Sequence, residues 1–297
     1  MNKMHAKVAV ITRTKDRSTF LERACRSVAS QTYDNYIHVI VNDGGDREAV
    51  EAVIASLSDT QKQKTAVFHR DISSGAPDTI FTESVDRVES DYFAIHDDDD
   101  TWHAEFLRRT VDHLDTNEHL GAVVVRADKV IEEVDGTSIS PKKTSRWMPD
   151  IKVINLYRQC IDNQFTPIAT LFRRSAYIEV GKFDGTLPVV GDWEFGVRLL
   201  MKYDADFIDP GFSLANYHHR KFKEGAQGNT SFSGNDKHRY YTNLIMNRYL
   251  REELRDGRLG VGYMMSSIKY NQSYISSLAK KVLPLGIVEK LKRKVGN

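Results

Sequence analysis

The sequence predicts an α/β fold with a mixed, mainly parallel central sheet, and three observations predict this fold class. Short β-branched runs alternate with amphipathic helical segments over residues 7–95, polar residues follow each predicted strand, and 40% of the 297 residues are hydrophobic. This length and composition suffice for one large domain with an extension. Ligands of open α/β sheets bind outside the carboxyl ends of the strands, so we expect the functional residues there.

The predicted elements support this fold class in chain order. The first strand occupies residues 7–12, and the next helix opens at Ser18 with its apolar residues on one face. Strands and helices then alternate at 37–42, 46–57, 65–69, 77–89 and 91–95. Later patterns predict strands with a hairpin at 120–136, a strand at 167–174 and an amphipathic helix at 191–203. Helical patterns dominate from about Lys237 onward, which predicts two parts, residues 1–232 and 233–297.

Charge and cysteine content exclude several classes of protein. Lys and Arg total 42 against 41 for Asp and Glu, so no global field would attract nucleic acid. Cys25 and Cys160 lie in apolar, helical segments, which predicts buried reduced thiols and a cytoplasmic chain. The apolar run that ends at Thr12 is too short for a signal peptide, and no other run approaches membrane-spanning length.

The segment DYFAIHDDDDTW, residues 91–102, places four aspartates in a row directly after a predicted strand. One aspartate would serve a solvated turn or the N-cap of the following helix, whereas four adjacent carboxylates repel one another. A divalent cation with a diphosphate would make the run favourable, because Mg²⁺ and Mn²⁺ take hard carboxylate oxygens. Phosphohydrolases and nucleotidyltransferases also place acid pairs at strand ends, so the run alone does not identify a reaction.

The surrounding residues resemble a known family. VAVITRTKDRSTFLERACRSVASQTYDNYIHVIVNDGGD, followed by the aspartate run and its trailing tryptophan, resembles the opening of the inverting, metal-dependent glycosyltransferases of family 2. The resemblance covers roughly residues 7–220. It implies a GT-A domain, the Rossmann-like fold of nucleotide-diphospho-sugar transferases, followed here by a helical C-terminal extension. It also implies a nucleotide-diphospho-sugar donor and Mn²⁺ or Mg²⁺ as the metal.

The resemblance assigns roles on the donor side. Thr12 and Asp43, the second residue of NDGG, would hold the nucleotide base and ribose, and a carboxylate can accept from a uracil or guanine N–H. Arg13 and Arg17 are either contacts to the donor phosphate or base, or surface charges.

The aspartate run supplies the Asp-x-Asp motif of the resemblance. Asp97 and Asp99 form the motif, Asp99 is the expected metal ligand, and Asp98 is expected on the sugar or ribose side.

Two later motifs complete the expected site. In VVGDWEFGVRLL, Gly191 stands where the first acid of the resemblance would be, so Asp192 is the expected catalytic base; it is otherwise a helix N-cap, and Glu194 is the second candidate. We expect the helix terminus to stabilise the Asp192 anion. In ANYHHRKFKEGAQGNTSF, His218 or His219 would complete the metal shell, while Arg220 and Lys221 would clamp the leaving diphosphate.

The chain also departs from the resemblance. In RDISSGAPDTIFTESV the glycine is kept as Gly75, but Pro77 and Asp78 replace an expected Arg-Asn pair, which indicates a different donor contact. The Gln-x-x-Arg-Trp motif of processive polymerases is missing, which favours addition of a single sugar.

The expected partners follow from the resemblance and from the end of the chain. The donor would be a UDP-, GDP- or dTDP-linked sugar, and the acceptor a glycan or lipid-linked saccharide, as in bacterial surface polysaccharide synthesis. Residues 278–297 carry six basic residues against one acid, with apolar residues at helical spacing. This pattern is typical of a peripheral contact with an anionic membrane, and equally of a solvated or partner-binding helix.

Two other functions remain open. A sugar-1-phosphate nucleotidyltransferase usually has a glycine-rich loop after the first strand, and TRTKDRST contains no glycine. A non-catalytic carbohydrate-binding scaffold on a degenerate fold would not need the aspartate run together with Asp192.

Overall fold

The computed structural model describes residues 5–136, 138–220, 235–269 and 271. The chain divides into two compact units, Met1–Arg239 and Tyr240–Asn297. The predicted boundary at 232/233 lies outside the described residues and stays a prediction, as does the basic tail at 278–297.

The first unit contains eleven strands and eight helices among its described residues, and the long helix α9 begins near its end. The strands are β1 His5–Thr14, β2 Tyr36–Asp43, β3 Thr65–Arg70, β4 Glu89–Ile95, β5 Thr101–Trp102, β6 Leu120–Val125, β7 Ala127–Asp135, β8 Ser138–Arg146, β9 Thr170–Arg173, β10 Asp204–Ile208 and β11 Ala215–Arg220. The helices are α1 Ser18–Ala29, α2 Arg47–Ala55, α3 Asp59–Gln63, α4 Pro77–Arg87, α5 Phe106–Thr116, α6 Leu156–Gln159, α7 Arg174–Glu179, α8 Gly191–Leu200 and α9 Asn235–Arg255.

A seven-stranded sheet organises the first unit, in the order β10-β6-β9-β4-β1-β2-β3. β3, β2, β1 and β4 run parallel, and only β9 is antiparallel to its neighbours in this sheet. Central strands buried on both faces need continuous apolar runs, and β1, β2 and β4 supply them. The predicted α/β fold with a mixed, mainly parallel sheet is confirmed.

A second, smaller sheet has the order β5-β11-β7-β8. β5 directly follows the aspartate run and pairs antiparallel with β11, which in turn runs parallel to β7. The hairpin predicted within 120–136 is wrong: β6 belongs to the large sheet, and the chain crosses at Arg126 into β7, which forms the hairpin with β8 around Gly136. The crossing contains no glycine or proline, and apolar residues resume directly after Arg126, so the pattern did not separate the two strands.

Two further expectations concern thiols and membranes. Cys25 and Cys160 are buried and free, as predicted, and burial raises the pKa of the Cys25 thiol to about 12 and that of Cys160 to about 11. Among the described residues, no helix combines the length and the apolar character that crossing a membrane requires.

The second unit is helical where it is described. Residues 261–269 form a helix after α9, and the buried Glu253 accepts hydrogen bonds from the backbone N–H groups of Gly262, at 2.6 Å, and Tyr263, at 3.0 Å. A Cβ on Gly262 would lie 2.5 Å from the backbone nitrogen of Leu250, so glycine permits this close approach.

Candidate active site

The aspartate run forms the turn between β4 and β5, at the carboxyl edge of the large sheet. The backbone N–H of Asp100 donates to the carbonyl of Asp97 at 3.1 Å, which closes the turn. Asp98, Asp99 and Asp100 are buried, whereas Asp97 is half-buried. Four carboxyl groups in one buried turn require strong counter-charge, and helix α1 and strand β11 provide it.

Asp98 is held by the last residue of β1 and by Arg17, which follows that strand. Its carboxylate accepts from the hydroxyl of Thr14 at 2.8 Å and pairs with the Arg17 guanidinium at 3.0 Å. Burial is the largest influence and raises the pKa of Asp98, against the attraction of Arg17.

Asp99 lies between two guanidinium groups. Arg17 contacts its Oδ2 at 2.7 Å, and Arg220 contacts the same oxygen. Burial would raise the pKa of Asp99, but the two arginines outweigh it and lower the pKa below its usual value. Asp99 is therefore an anion over the physiological range.

Further charged side chains around Glu132 hold Arg220 in place. Arg220 is only 1% exposed, and it donates to Glu132 on β7 at 2.8 Å. Arg23 on α1 donates to the same carboxylate at 2.8 Å and also to the carbonyl of Asp99. Burial would raise the pKa of Glu132, but His218 and Arg23 lower it to about 2. The cluster thus ties α1, the aspartate turn, β7 and β11 together.

The tandem histidines face opposite sides of β11, because successive side chains of a strand alternate. His218 uses both ring nitrogens: Nδ1 lies 2.8 Å from Glu132, and Nε2 lies 3.0 Å from the hydroxyl of Thr101. His219 packs edge-on against Tyr217, and burial with Lys129 lowers its pKa to about 4. Among the described residues of this segment, Arg220 forms an ion pair with Asp99. Lys221 lies outside the described residues.

The remaining two aspartates retain raised pKa values. Burial and the Asp99 charge raise the pKa of Asp97 to about 6, against Arg13 and Arg17. Asp100 accepts from the backbone N–H of His218 at 2.7 Å, yet burial and its neighbours raise its pKa well above the usual value.

Asp99 and His218, two of the predicted metal ligands, contact other charged side chains. Within residues 5–136, 138–220 and 235–271 as described, no group of three or more His, Cys, Asp or Glu side chains is arranged to hold a metal ion. Asp99 faces two guanidinium groups, and His218 is turned toward Glu132. The pairing of Asp99 with Arg17 and Arg220 supplies its counter-charge in this structure, and the expected metal site of Asp99 with His218 or His219 stays a prediction.

A second carboxylate site lies at the end of β2. Asp43 is fully buried and accepts from the backbone N–H of Ser74 at 2.8 Å and from the Ser73 hydroxyl at 3.0 Å. Arg13 and Arg70 stand 3.5 Å and 3.6 Å from its oxygens. The loop that departs from the family pattern thus supplies the donors to Asp43.

Thr12 does not reach either carboxylate site. Its hydroxyl lies 2.8 Å from Nε2 of His38 in the interior, where burial lowers the pKa of His38 to about 3. Thr14, one step further along the same face of β1, contacts Asp98 instead. β1 continues two residues beyond the predicted end at Thr12, and this extension explains the difference.

Asp192 lies in the first turn of α8. It is half-buried, and its carboxylate accepts from the side chain of Asn163 at 2.8 Å and from the backbone N–H of Trp193 at 2.8 Å. Asp192 is not the N-cap: that position belongs to Val190, whose left-handed φ of 58° is unusual for a β-branched residue. Burial raises the pKa of Asp192, so the expected stabilisation of its anion by the helix terminus is outweighed.

Glu194, the second candidate base, serves another purpose. It is buried and takes the Nε and Nη2 donors of Arg198, one turn later on the same helix, at 2.7–3.0 Å. Arg198 in turn donates to the carbonyls of Val180 and Lys182. Glu194 therefore anchors α8 to the preceding loop.

The chain is similar in sequence to known glycosyltransferases. A family model described as Glycosyl transferase family 2 matches residues 9–181. An uncharacterized glycosyltransferase of Rickettsia conorii is 22% identical over 257 residues, which are 85% of this chain and 39% of the relative. The uncharacterized glycosyltransferase YwdF of Bacillus subtilis is 24% identical over 200 residues, 66% of this chain and 69% of the relative. The chain spans about two fifths of the length of the Rickettsia relatives.

Two solved structures share the fold. Staphylococcus aureus TarS 1–349 in complex with UDP-GlcNAc aligns with a TM-score of 0.59 at 15% identity, over 75% of this chain and 62% of TarS 1–349. The mannosyltransferase PcManGT of Pyrobaculum calidifontis, in complex with GDP-Man and Mn²⁺, aligns with a TM-score of 0.60 at 13% identity, over 98% of this chain and 80% of that chain.

Proposed function

Because the chain belongs to glycosyl transferase family 2, we propose that it moves one sugar from a nucleotide-diphospho-sugar to a hydroxyl of a glycan or lipid-linked saccharide, with inversion at the anomeric carbon. The observation that carries the proposal is the buried Asp99, which lies between Arg17 and Arg220 at the carboxyl edge of the sheet. These guanidinium groups form a site for the leaving diphosphate.

The donor would lie along the carboxyl edge of the sheet. Its base and ribose would contact Asp43 and Arg13, since a carboxylate offers about four lone-pair sites and Asp43 uses three for serine donors. Asp97 and Asp98 would face the sugar or ribose. TarS and PcManGT, solved with UDP-GlcNAc and GDP-Man, support a nucleotide-sugar donor of this kind.

The chemistry would be a single displacement with Asp192 as the base. Its carboxylate would accept the proton of the acceptor hydroxyl while that oxygen attacks the anomeric carbon from the face opposite the leaving group. Asn163 would orient the carboxylate. Negative charge growing on the diphosphate would be opposed by Arg17 and Arg220, which burial and ion pairs hold in place before the reaction begins.

Metal dependence stays a prediction. The Mn²⁺ of the PcManGT complex supports it, and such an ion would add charge stabilisation at the diphosphate. Since no group of three or more metal-binding side chains is found among the described residues, no step above depends on a metal.

The acceptor side rests on the resemblance. We propose a role in bacterial surface polysaccharide synthesis, with residues 278–297 as a peripheral contact with an anionic membrane, where a lipid-linked acceptor would be met. Loss of binding to anionic vesicles on deletion of these residues, in low salt, tests this contact.

The central test is release of nucleoside diphosphate from a panel of UDP-, GDP-, dTDP- and CDP-sugars, with Mn²⁺, Mg²⁺ or EDTA. We expect one donor to be turned over, with activity lost in Asp192→Asn and Asp99→Ala and kept in the exposed control Asp59→Asn. The anomeric configuration of the product tests inversion. Incorporation of a nucleoside monophosphate with pyrophosphate release would instead identify a nucleotidyltransferase, and nucleotide binding without turnover would identify a scaffold.

A further inference from the structure

An additional carboxyl group stands at the start of helix α8. Asp78 lies in the first turn of α4 and is buried. A Cβ placed on Gly191 would come within 1.6 Å of Oδ2 of Asp78 and within 2.8 Å of its Cγ. The carboxyl of Asp78 therefore occupies the space that any side chain at position 191 would need, and this space adjoins the proposed base, Asp192.

The surroundings of Asp78 are mostly acidic. Asp192 and Glu194 face it from α8, Asp184 faces it from the preceding loop, and Arg13 opposes them from the end of β1. Burial is the largest influence and, with these acids, raises the pKa of Asp78 to about 8, although a first-turn position in a helix favours an anion. Burial and these neighbouring acids thus favour the protonated form of Asp78 near neutral pH.

The charge of Glu194 is already balanced by the guanidinium of Arg198 on the same helix. Among the acids that face Asp78, Asp192 raises its pKa most. The carboxylate of Asp192 has amide donors from Asn163 and Trp193, and His238 on α9 opposes the burial that raises its pKa. Two buried acids that share a site do not both ionise near neutral pH, because the second charge is repelled by the first.

We propose that Asp78 is the second acid of the base site, a positioning residue that holds a proton beside Asp192 and leaves Asp192 as the single anion there. This inference rests on the proposed function for its kinetic consequences. Asp78 stands on α4, and Gly191, the residue before Asp192, has no side chain and so allows Asp78 to pack against the start of α8. Above the pH at which Asp78 ionises, a second negative charge enters the site and repels the diphosphate of the donor.

The pH profile of kcat/KM separates this role from a merely structural one. Wild type is expected to lose about tenfold between pH 7 and pH 9, since pH 9 is one unit above the value for Asp78. Asp78→Asn keeps the shape and a neutral group, so its alkaline loss should shrink to less than twofold while the acidic limb of the profile stays in place. An unchanged alkaline limb in Asp78→Asn would overturn the proposal.

Moving the carboxyl across the contact gives a second test. Gly191→Glu alone should be inactive, because its Cβ meets Asp78. In the Asp78→Ala background, Gly191→Glu should restore the loss of kcat/KM between pH 7 and pH 9, whereas the matched Gly191→Gln should lack this loss, with equal melting temperatures and equal affinity for the nucleoside diphosphate at pH 7. Equal pH profiles of kcat/KM for the two double variants would refute the idea that an ionisable acid matters here.

Carboxyl ¹³C NMR keeps the inference testable without turnover. Asp78 should titrate near pH 8 in wild type and at lower pH in Asp192→Asn. If no donor is turned over but this coupling is observed, the proposed function fails while the acid pair stands. Titration of Asp78 at the same pH in both proteins would overturn the pair itself.

Discussion

Replacing Arg220 by Met removes the central cation of the buried cluster. Arg220 is 1% exposed, pairs with Asp99 and Glu132, and lays its guanidinium over the ring of Phe20 at 4.5 Å. Met has a similar length and keeps the apolar packing on Phe20, so the change removes mainly charge and hydrogen bonds. Both carboxylates would then be buried with fewer donors.

The expected cost follows from that geometry. Removing one partner of a buried ion pair costs about 3–5 kcal/mol. Asp99 keeps Arg17 and Glu132 keeps Arg23, so we expect the lower end, about 3 kcal/mol of unfolding free energy. For a unit of this size, that loss lowers the melting temperature by about 6–12 °C.

Thermal unfolding followed by tryptophan fluorescence measures this loss in the right part of the chain, because Trp102, Trp147 and Trp193 all lie in the first unit. The matched control is Arg47→Met, which breaks an exposed ion pair and should cost about 0–1 kcal/mol. Equal melting temperatures for the two variants would refute the assignment of Arg220 as the structural counter-charge of the site.

Three further predictions concern single contacts. The pKa of Glu132 is lowered from 4.5 to about 2, so its ionisation stabilises the fold above pH 4.5, and this stabilisation is lost as the pH falls toward 2. In Glu132→Gln, the unfolding free energy measured in urea should therefore change less with pH over this range. Asp43→Ala leaves the half-buried N–H of Ser74 without its acceptor, so we expect a loss of about 1 kcal/mol in unfolding free energy and weaker nucleotide binding by calorimetry. Asn163→Ala removes a donor to Asp192, for which we expect kcat to fall about tenfold with the KM for the donor unchanged in steady-state assays; a changed KM with unchanged kcat would contradict an orienting role.

Much of the fold was predictable because it depends on local patterns. The apolar runs of β1, β2 and β4 and the amphipathic face of α1 each fix one element, and alternation then implies a parallel sheet. The path from β6 into β7 was not predictable, because only Arg126 separates two strands that belong to different sheets.

The site was predictable only in part, for a similar reason. Strand ends brought Asp43 and the aspartate run to one edge of the sheet, as expected. Arg23 and Glu132, which complete the charged cluster around Asp99 and Arg220, were less accessible to pattern analysis. Arg23 belongs to a surface-like helix sequence and Glu132 to an alternating strand, and neither lies in a motif. The alternation of β11 was a usable signal, since it places Arg220 on the face of His218 and turns His219 away.

The contacts around Asp99 also determine when the site can form during folding. Asp99 and Arg220 are separated by 121 residues along the chain, and Arg23 and Glu132 by 109. Closing such long loops carries an entropic cost that only the assembled sheets offset, whereas the β1–α1–β2 unit needs only local contacts. We therefore expect the buried arginine–carboxylate cluster to form late in folding, after the secondary structure of the first unit.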